Sequence, residues 1–373
     1  MIRVGTNQLL YNEVRNFAGL PFQNVCFRKV LDLYKVPAYL QYKLFNKVNY
    51  KLIFRFNDLG LHRKIDLFHF FNGITPVKKP WVVTFETKVP RPDVNFLQGY
   101  AWLAGKYCKK IIAYSERAYN AELQLLKQHP CYCDDMLPKM TVLRPSQPLI
   151  ANGLEHKDYS GFIHFLFAGH AFYRKGGYEL VKAFAQCYHK GLPVRLTMVS
   201  KLEVEGYCDR NISPDIEAET HRLIAGNPSV TWYRQLSNKQ VLQLLLEAHV
   251  GILPSFGETY GYFLLEAMAC GCAVVATAVS PLTEIVSDQC GYLLNVPTAM
   301  KDVEYIDIDN PARYKEISAR LTERIFQSIE AICNDTKLLQ AKSLLALQHI
   351  REKYSPFDRA AALEKIYHEA LVA

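Results

Sequence analysis

Apolar residues in this chain come in short runs repeated at regular distance. FIHFLFAGH (162–170), VRLTMVS (194–200), VTWYRQL (230–236), VGILPS (250–255) and AVVAT (273–277) each hold a strand's length of apolar and β-branched residues. Between them, segments at 178–190, 214–225 and 238–248 repeat apolar positions at helical spacing. Strand–helix alternation this regular predicts a parallel, doubly wound sheet. Two more helices are predicted over 311–332 and 336–353, and YSPFDRAAALEKIYHEAL forms a last amphipathic helix after a Ser-Pro break.

The first half of the chain reads less evenly. MIRVGT (1–6), DLFHFFN (66–72), WVVTFET (81–87) and KKIIAYS (109–115) have the length and composition of buried strands. Residues 25–45 read as a helix with basic and aromatic exposed positions, 47–56 as a strand or amphipathic segment, and 97–108 as a helix. Ser115 is placed to cap a helix over 116–127. MTVLRPS (140–146) closes this half, and a linker rich in Pro, Asn and Gly (145–161) leads onward. A chain of 373 residues suits two domains. The boundaries expected are 1–155, 156–354 and a terminal helix over 355–373.

Composition narrows the class. Half of the residues are apolar, enough for two cores, and the ten cysteines form no paired CxxC motifs. With no charged and apolar leader at its start, the chain reads as cytosolic with reduced thiols. Tyr262–Val279 is long enough to span a membrane, but Glu266 and Gly271 interrupt it, so a buried helix followed by a buried strand is expected. Residues 1–150 carry 22 Lys+Arg against 10 Asp+Glu, a balance of +12 that points to an anionic partner such as a membrane surface or a lipid-linked pyrophosphate. No nucleic-acid-binding module accompanies that charge, and no GxGxxG follows a strand, which disfavours a dinucleotide oxidoreductase. His129, Cys131, Cys133, Asp134 and Asp135 lie close in sequence, yet no second cluster completes a tetrahedral set. Asp307-Ile-Asp309 is likewise a poor metal motif, and no metal or other cofactor is expected.

Candidate chemistry concentrates in VGILPSFGETYGYFLLEAMACGCAVVAT (250–277). It reads as a strand, a turn, a helix opening at Gly261 and a second strand. In such units ligands sit at the carboxyl end of the first strand, and the amides at the helix start attract anions. Glu258 and Glu266 flank that start. The amides of Tyr260 to Phe263 can hold a phosphate while the two carboxylates accept hydrogen bonds from hydroxyls, which describes a sugar nucleotide. Gly261 permits close backbone approach, where an alanine would intrude on a ligand. Glu266 sits on a largely apolar helix, where burial without a partner is costly.

Glu258 and Glu266, with seven residues between them within PS…E…G…EAMA.G..VV.T, resemble the Glu-x7-Glu motif of the retaining glycosyltransferases of family 4. FLFAGHAFYRKGGYELVKAFAQ (165–186) is similar to that family's strand, basic loop and helix, and PLTEIVSDQCGYLL (281–294) extends the match. The resemblance implies an α/β chain of two Rossmann-like, doubly wound domains facing a cleft, the glycosyltransferase type B fold, with the last helix crossing back to the first domain. It implies transfer of a sugar from a UDP- or GDP-sugar to a glycan or lipid-linked glycan, with retention and without metal. Lys175 and Arg174 would then meet the donor diphosphate, with His170 where the family often has arginine. The donor would lie along Glu258, Thr259, Tyr260, Gly261, Tyr262 and Glu266. Glu86 stands where a cleft histidine is common, as acceptor base or sugar-binding group. The family's Gly-Gly loop after the first strand is replaced by NQLLYNEVRNF. A non-catalytic sugar-nucleotide or glycan-binding protein is the alternative reading.

Overall fold

The structure is a computed structural model and describes all residues except 59, 92–94, 205–210, 297–305, 307, 309 and 373. Contacts divide the chain into two units, Met1–Ser146 with Tyr354–Ala373, and Gln147–Lys353. Residues 147–155 therefore join the second unit, not the first. Their anchor is physical: the amides of Ile150 and Ala151 donate to the Ala269 carbonyl at 3.0 and 2.9 Å.

The first unit holds strands β1 (Ile2–Thr6), β2 (Val25–Lys29), β3 (Leu67–Phe71), β4 (Trp81–Phe85), β5 (Cys108–Ala113) and β6 (Met140–Val142). They pair in parallel in the order β2-β1-β3-β4-β5-β6. Every residue of β3 and β4 is buried, as expected of runs covered on both faces. Phe56, Phe68, Phe70, Trp81 and Tyr100 fill one side of this sheet. Ser115 accepts from the Ala118 amide at 3.0 Å and opens the helix Glu116–Lys127.

Two expectations fail here. Residues 25–45 are not one helix, because Val25–Lys29 pairs with β1 as an edge strand and only Lys35–Phe45 is helical. Residues 47–56 contain a short helix, Tyr50–Ile53, before Arg55 bridges to Ile74. At Val25–Lys29 the unpaired edge of β1 decided the outcome over local pattern.

The last helix, Pro356–Val372, belongs to the first unit. Its Tyr367 hydroxyl lies 2.6 Å from His69 Nδ1, and Thr84 Oγ1 is 2.7 Å from His69 Nε2. Burial drives the His69 pKa well below its ordinary value, so a neutral ring serves both bonds. Buried Arg359 donates to the carbonyls of Asn16 and Leu143, at 2.8 and 2.7 Å, and to that of Arg144.

In the second unit β7 (Ile163–Ala168), β8 (Val194–Val199), β9 (Val230–Tyr233), β10 (Val250–Leu253), β11 (Ala273–Thr277) and β12 (Gly291–Leu294) form a parallel sheet ordered β12-β11-β10-β7-β8-β9. The apolar stretch from Tyr262 resolves into the buried helix Tyr262–Ala269 followed by β11. Strand order reverses between β7 and β10, and a doubly wound sheet opens a crevice at the carboxyl ends of its strands there. Among the described residues no helix is long and apolar enough to cross a membrane.

Candidate functional site

Two loops leave the sheet at that reversal. One runs from Gly169 to Gly176, between β7 and the helix Gly177–His189; the other runs from Pro254 to Gly261, between β10 and the helix Tyr262–Ala269. They are joined backbone to backbone. The Phe256 amide donates to the Arg174 carbonyl at 2.9 Å, and the buried Ser255 hydroxyl donates to the Gly257 carbonyl at 2.9 Å, with the Arg174 carbonyl 3.3 Å away. Thr277 Oγ1 holds the Ser255 carbonyl from β11 at 2.5 Å. Gly176, at φ 72°, lets the first loop approach so closely that a Cβ there would lie 2.1 Å from the Pro254 carbonyl oxygen.

This joint brings the charged residues together. Lys175 Nζ lies 2.5 Å from Glu258 Oε1, with side chains only 13% and 6% exposed. Arg174 stands 3.8 Å from the same carboxylate oxygen and donates to the Gly257 carbonyl. Gly169 gives the lysine room, since a Cβ there would lie 2.7 Å from Lys175 Cδ. His170 is exposed in the same loop, and Thr259 is exposed in the other. The Tyr260 ring is buried 5.3 Å from that of half-buried Tyr262. Glu266 is 8% exposed and accepts from Asn238 Nδ2 at 3.3 Å, so its burial is offset within the protein. Gly261 also needs another explanation than a ligand. Its φ is 102°, and a Cβ would lie 2.5 Å from Leu282 Cδ2, so the fold itself requires glycine.

The helix starts differ in a way that matters for anions. Ser213, Ser237 and Asn310 cap the helices Pro214–Ala225, Asn238–Glu247 and Pro311–Asn334 with side-chain acceptors. The helices that begin at Gly177 and Tyr262 follow left-handed glycines and have no side-chain cap. Both helices start from the loops that carry Lys175, Arg174 and Glu258, and the Gly177 amide itself donates to the Phe172 carbonyl at 3.0 Å.

Glu86 belongs to the first unit. Asn72 Nδ2 donates to its Oε1 at 3.2 Å, the Glu86 amide returns a bond to Asn72 Oδ1 at 3.2 Å, and Arg91 stands 3.8 Å away. Burial raises its pKa, with Arg91 and Asn72 pulling the other way. His129 packs its ring 4.9 Å from Phe96, and among the described residues no group of His, Cys, Asp or Glu is arranged to hold a metal. Asp307 and Asp309 lie outside the described residues. Sequence reading missed Ser255, Gly176, Asn238 and Asn72. All four act through partners distant in the chain, and only the Gly176-Gly177 pair, just before a predicted helix, offered a local signal.

Comparison with known proteins adds the following. Residues 163–303 match the family model described as "Glycosyl transferases group 1". The D-inositol 3-phosphate glycosyltransferase of Pseudarthrobacter chlorophenolicus is 32% identical over 139 residues, which cover 35% of this chain and 30% of that protein. The GDP-mannose-dependent alpha-(1-6)-phosphatidylinositol dimannoside mannosyltransferase of Mycobacterium tuberculosis is 28% identical over 160 residues, 37% of this chain and 42% of that one. The chain thus spans well under half the length of these curated relatives. Among solved structures, Anabaena HepE in complex with UDP aligns with a TM-score of 0.61 at 14% identity over 98% of this chain and 99% of its own. WaaG, a glycosyltransferase involved in lipopolysaccharide biosynthesis, aligns with a TM-score of 0.54 at 14% identity over 97% and 99%. Residues 163–303 thus match the group 1 glycosyltransferase domain, on a chain with the two-unit, Rossmann-like α/β fold of these structures.

Proposed function

We propose that this chain is a retaining glycosyltransferase of family 4 that moves a hexose-type sugar from a UDP- or GDP-sugar to a glycan or lipid-linked glycan in cell-surface polysaccharide synthesis. The observation that carries the reading is the Lys175–Glu258 pair, 2.5 Å apart between two helix starts without side-chain caps, where the sheet order reverses. A relative whose name specifies GDP-mannose and a solved neighbour holding UDP support a nucleoside-diphosphate donor.

In this reading Lys175, Arg174 and the helix amides receive the diphosphate, with His170 at the rim. Glu258 binds the sugar hydroxyls, Thr259 to Tyr262 line the donor, and Glu266 takes the ribose hydroxyls. The anomeric carbon–phosphate oxygen bond breaks as the acceptor oxygen bonds to that carbon on the same face. The acceptor's proton passes to the departing diphosphate. Positive charge for the leaving group comes from the chain itself, so turnover proceeds in a chelator. Glu86, its pKa raised by burial, assists with the acceptor hydroxyl. The chain works in the cytoplasm at an anionic membrane surface, with no nucleic-acid partner.

Thermal-shift screening against UDP-, GDP-, ADP- and TDP-sugars tests the donor assignment: one base should stabilise the protein selectively, and no response to any overturns the reading. The replaced Gly-Gly loop and His170 in place of arginine favour a non-catalytic binder as the second reading. Donor hydrolysis, or transfer to acceptors in membrane extracts, decides between them.

A further inference from the structure

The helix Lys35–Phe45 leaves most of its large apolar side chains exposed. Ala38 is its buried residue, and on the opposite side Val36, Leu40 and Leu44 recur every fourth position, 52%, 53% and 72% exposed. Tyr39 and Lys43 form the adjacent row, the ammonium 5.5 Å from the ring. Leu31, Tyr42, Phe45 and Val48 are exposed too, making eight large apolar or aromatic side chains open to solvent over 31–48. Single exposed apolar residues are ordinary, but a contiguous group of this size marks a contact surface.

Charge identifies what makes the contact. From 33 to 57 the sequence has no Asp or Glu, while Lys43 on the helix and Lys47 and Lys51 just after it are exposed. A second copy packed by a two-fold axis on this surface would bring two sets of these lysines into one interface with no carboxylate in the segment to offset them. An anionic bilayer satisfies both features in one plane, taking apolar side chains into the acyl boundary and ammonium groups among the lipid phosphates.

We propose that the outward stripe of Lys35–Phe45 is the element by which this chain docks on an anionic lipid bilayer. Val36, Leu40 and Leu44 enter the headgroup–acyl boundary, and Lys43, Lys47 and Lys51 meet lipid phosphates. The proposal goes beyond a generally basic half by naming the segment and its apolar component, and it stands apart from the donor chemistry at Lys175 and Glu258.

The test is co-sedimentation of the full chain with phosphatidylcholine vesicles with or without about 30% phosphatidylglycerol, at salt from about 50 to about 500 mM. Binding should require the anionic lipid and weaken with salt. The double variant Leu40→Ser/Leu44→Ser, altered only at exposed positions, should partition at least about tenfold less. Lys43→Glu/Lys47→Glu should lose the anionic preference by about tenfold or more. Both variants should keep wild-type affinity for the nucleotide identified by thermal shift, so a failed donor assignment and a failed docking surface give different results. Three outcomes overturn the proposal: no binding of wild type to anionic vesicles, equal binding by wild type and both variants, or a dimer in light scattering that Leu40→Ser/Leu44→Ser dissociates.

Discussion

Lys175 and Glu258 stand 83 positions apart in the chain and 2.5 Å apart in space. In the proposed reading, a diphosphate arriving at this lysine would compete with a carboxylate already holding it, so nucleotide binding would be an exchange of partners. The signs of two substitutions follow. Lys175→Ala should weaken UDP or GDP binding about tenfold or more in calorimetry, while Glu258→Gln should tighten it and still lower turnover by about 100-fold. The glycines give a second pair. Gly176 and Gly191 both have φ 72°, but a Cβ at Gly176 strikes the Pro254 carbonyl and one at Gly191 meets nothing within 4 Å. In urea unfolding Gly191→Ala should cost about 1 kcal/mol for backbone strain alone, and Gly176→Ala should cost at least ~3 kcal/mol. Much of this site was legible, because Lys175 and Glu258 occupy loops after strands, where ligand chemistry gathers. What was not legible is what joins the loops: Ser255 looks like any turn serine until its hydroxyl is seen within reach of both the Gly257 and Arg174 carbonyls.

Among elements, the second unit was the easier to read because its inner strands are covered on both faces, and a run such as Val250–Leu253 has no polar position to confuse it. Strand β2 is half-exposed at a sheet edge and ends in Arg28 and Lys29, so its sequence, VCFRK, shows neither strict alternation nor a continuous apolar run. The helix Glu116–Lys127 offers a test at this scale. Its Glu122 accepts from the Val89 amide at 3.0 Å and the Tyr100 hydroxyl at 2.9 Å, tying the helix to the end of β4 and to the helix Phe96–Ala104. Burial raises the Glu122 pKa from 4.5 to about 7, against the pull of those two bonds. Between those values the folded chain keeps a proton that the unfolded chain has released, so stability falls as pH rises from about 4.5 to about 7 and levels off above. By linkage the group contributes a fall of up to ~3 kcal/mol, and Glu122→Gln should flatten it in denaturant titrations at several pH values.

For the whole molecule, the second unit is inserted into the first. The segment Tyr354–Ala373 returns to a unit whose other residues end at Ser146, and its helix supplies Tyr367 to His69 and Arg359 to three carbonyls. Deleting residues 355–373 should lower the melting transition of the first unit in calorimetry while nucleotide binding by the second persists; loss of both together would count against this division. The sequence pointed to a returning helix only through family resemblance, since its amphipathic pattern names no destination. During synthesis, this arrangement inverts the order of completion. The later-made unit has all its residues once Lys353 has left the ribosome, whereas the earlier-made one waits for residues 354–373 to cover its sheet, and nascent protein spends that interval with one unit unfinished and the other ready to fold.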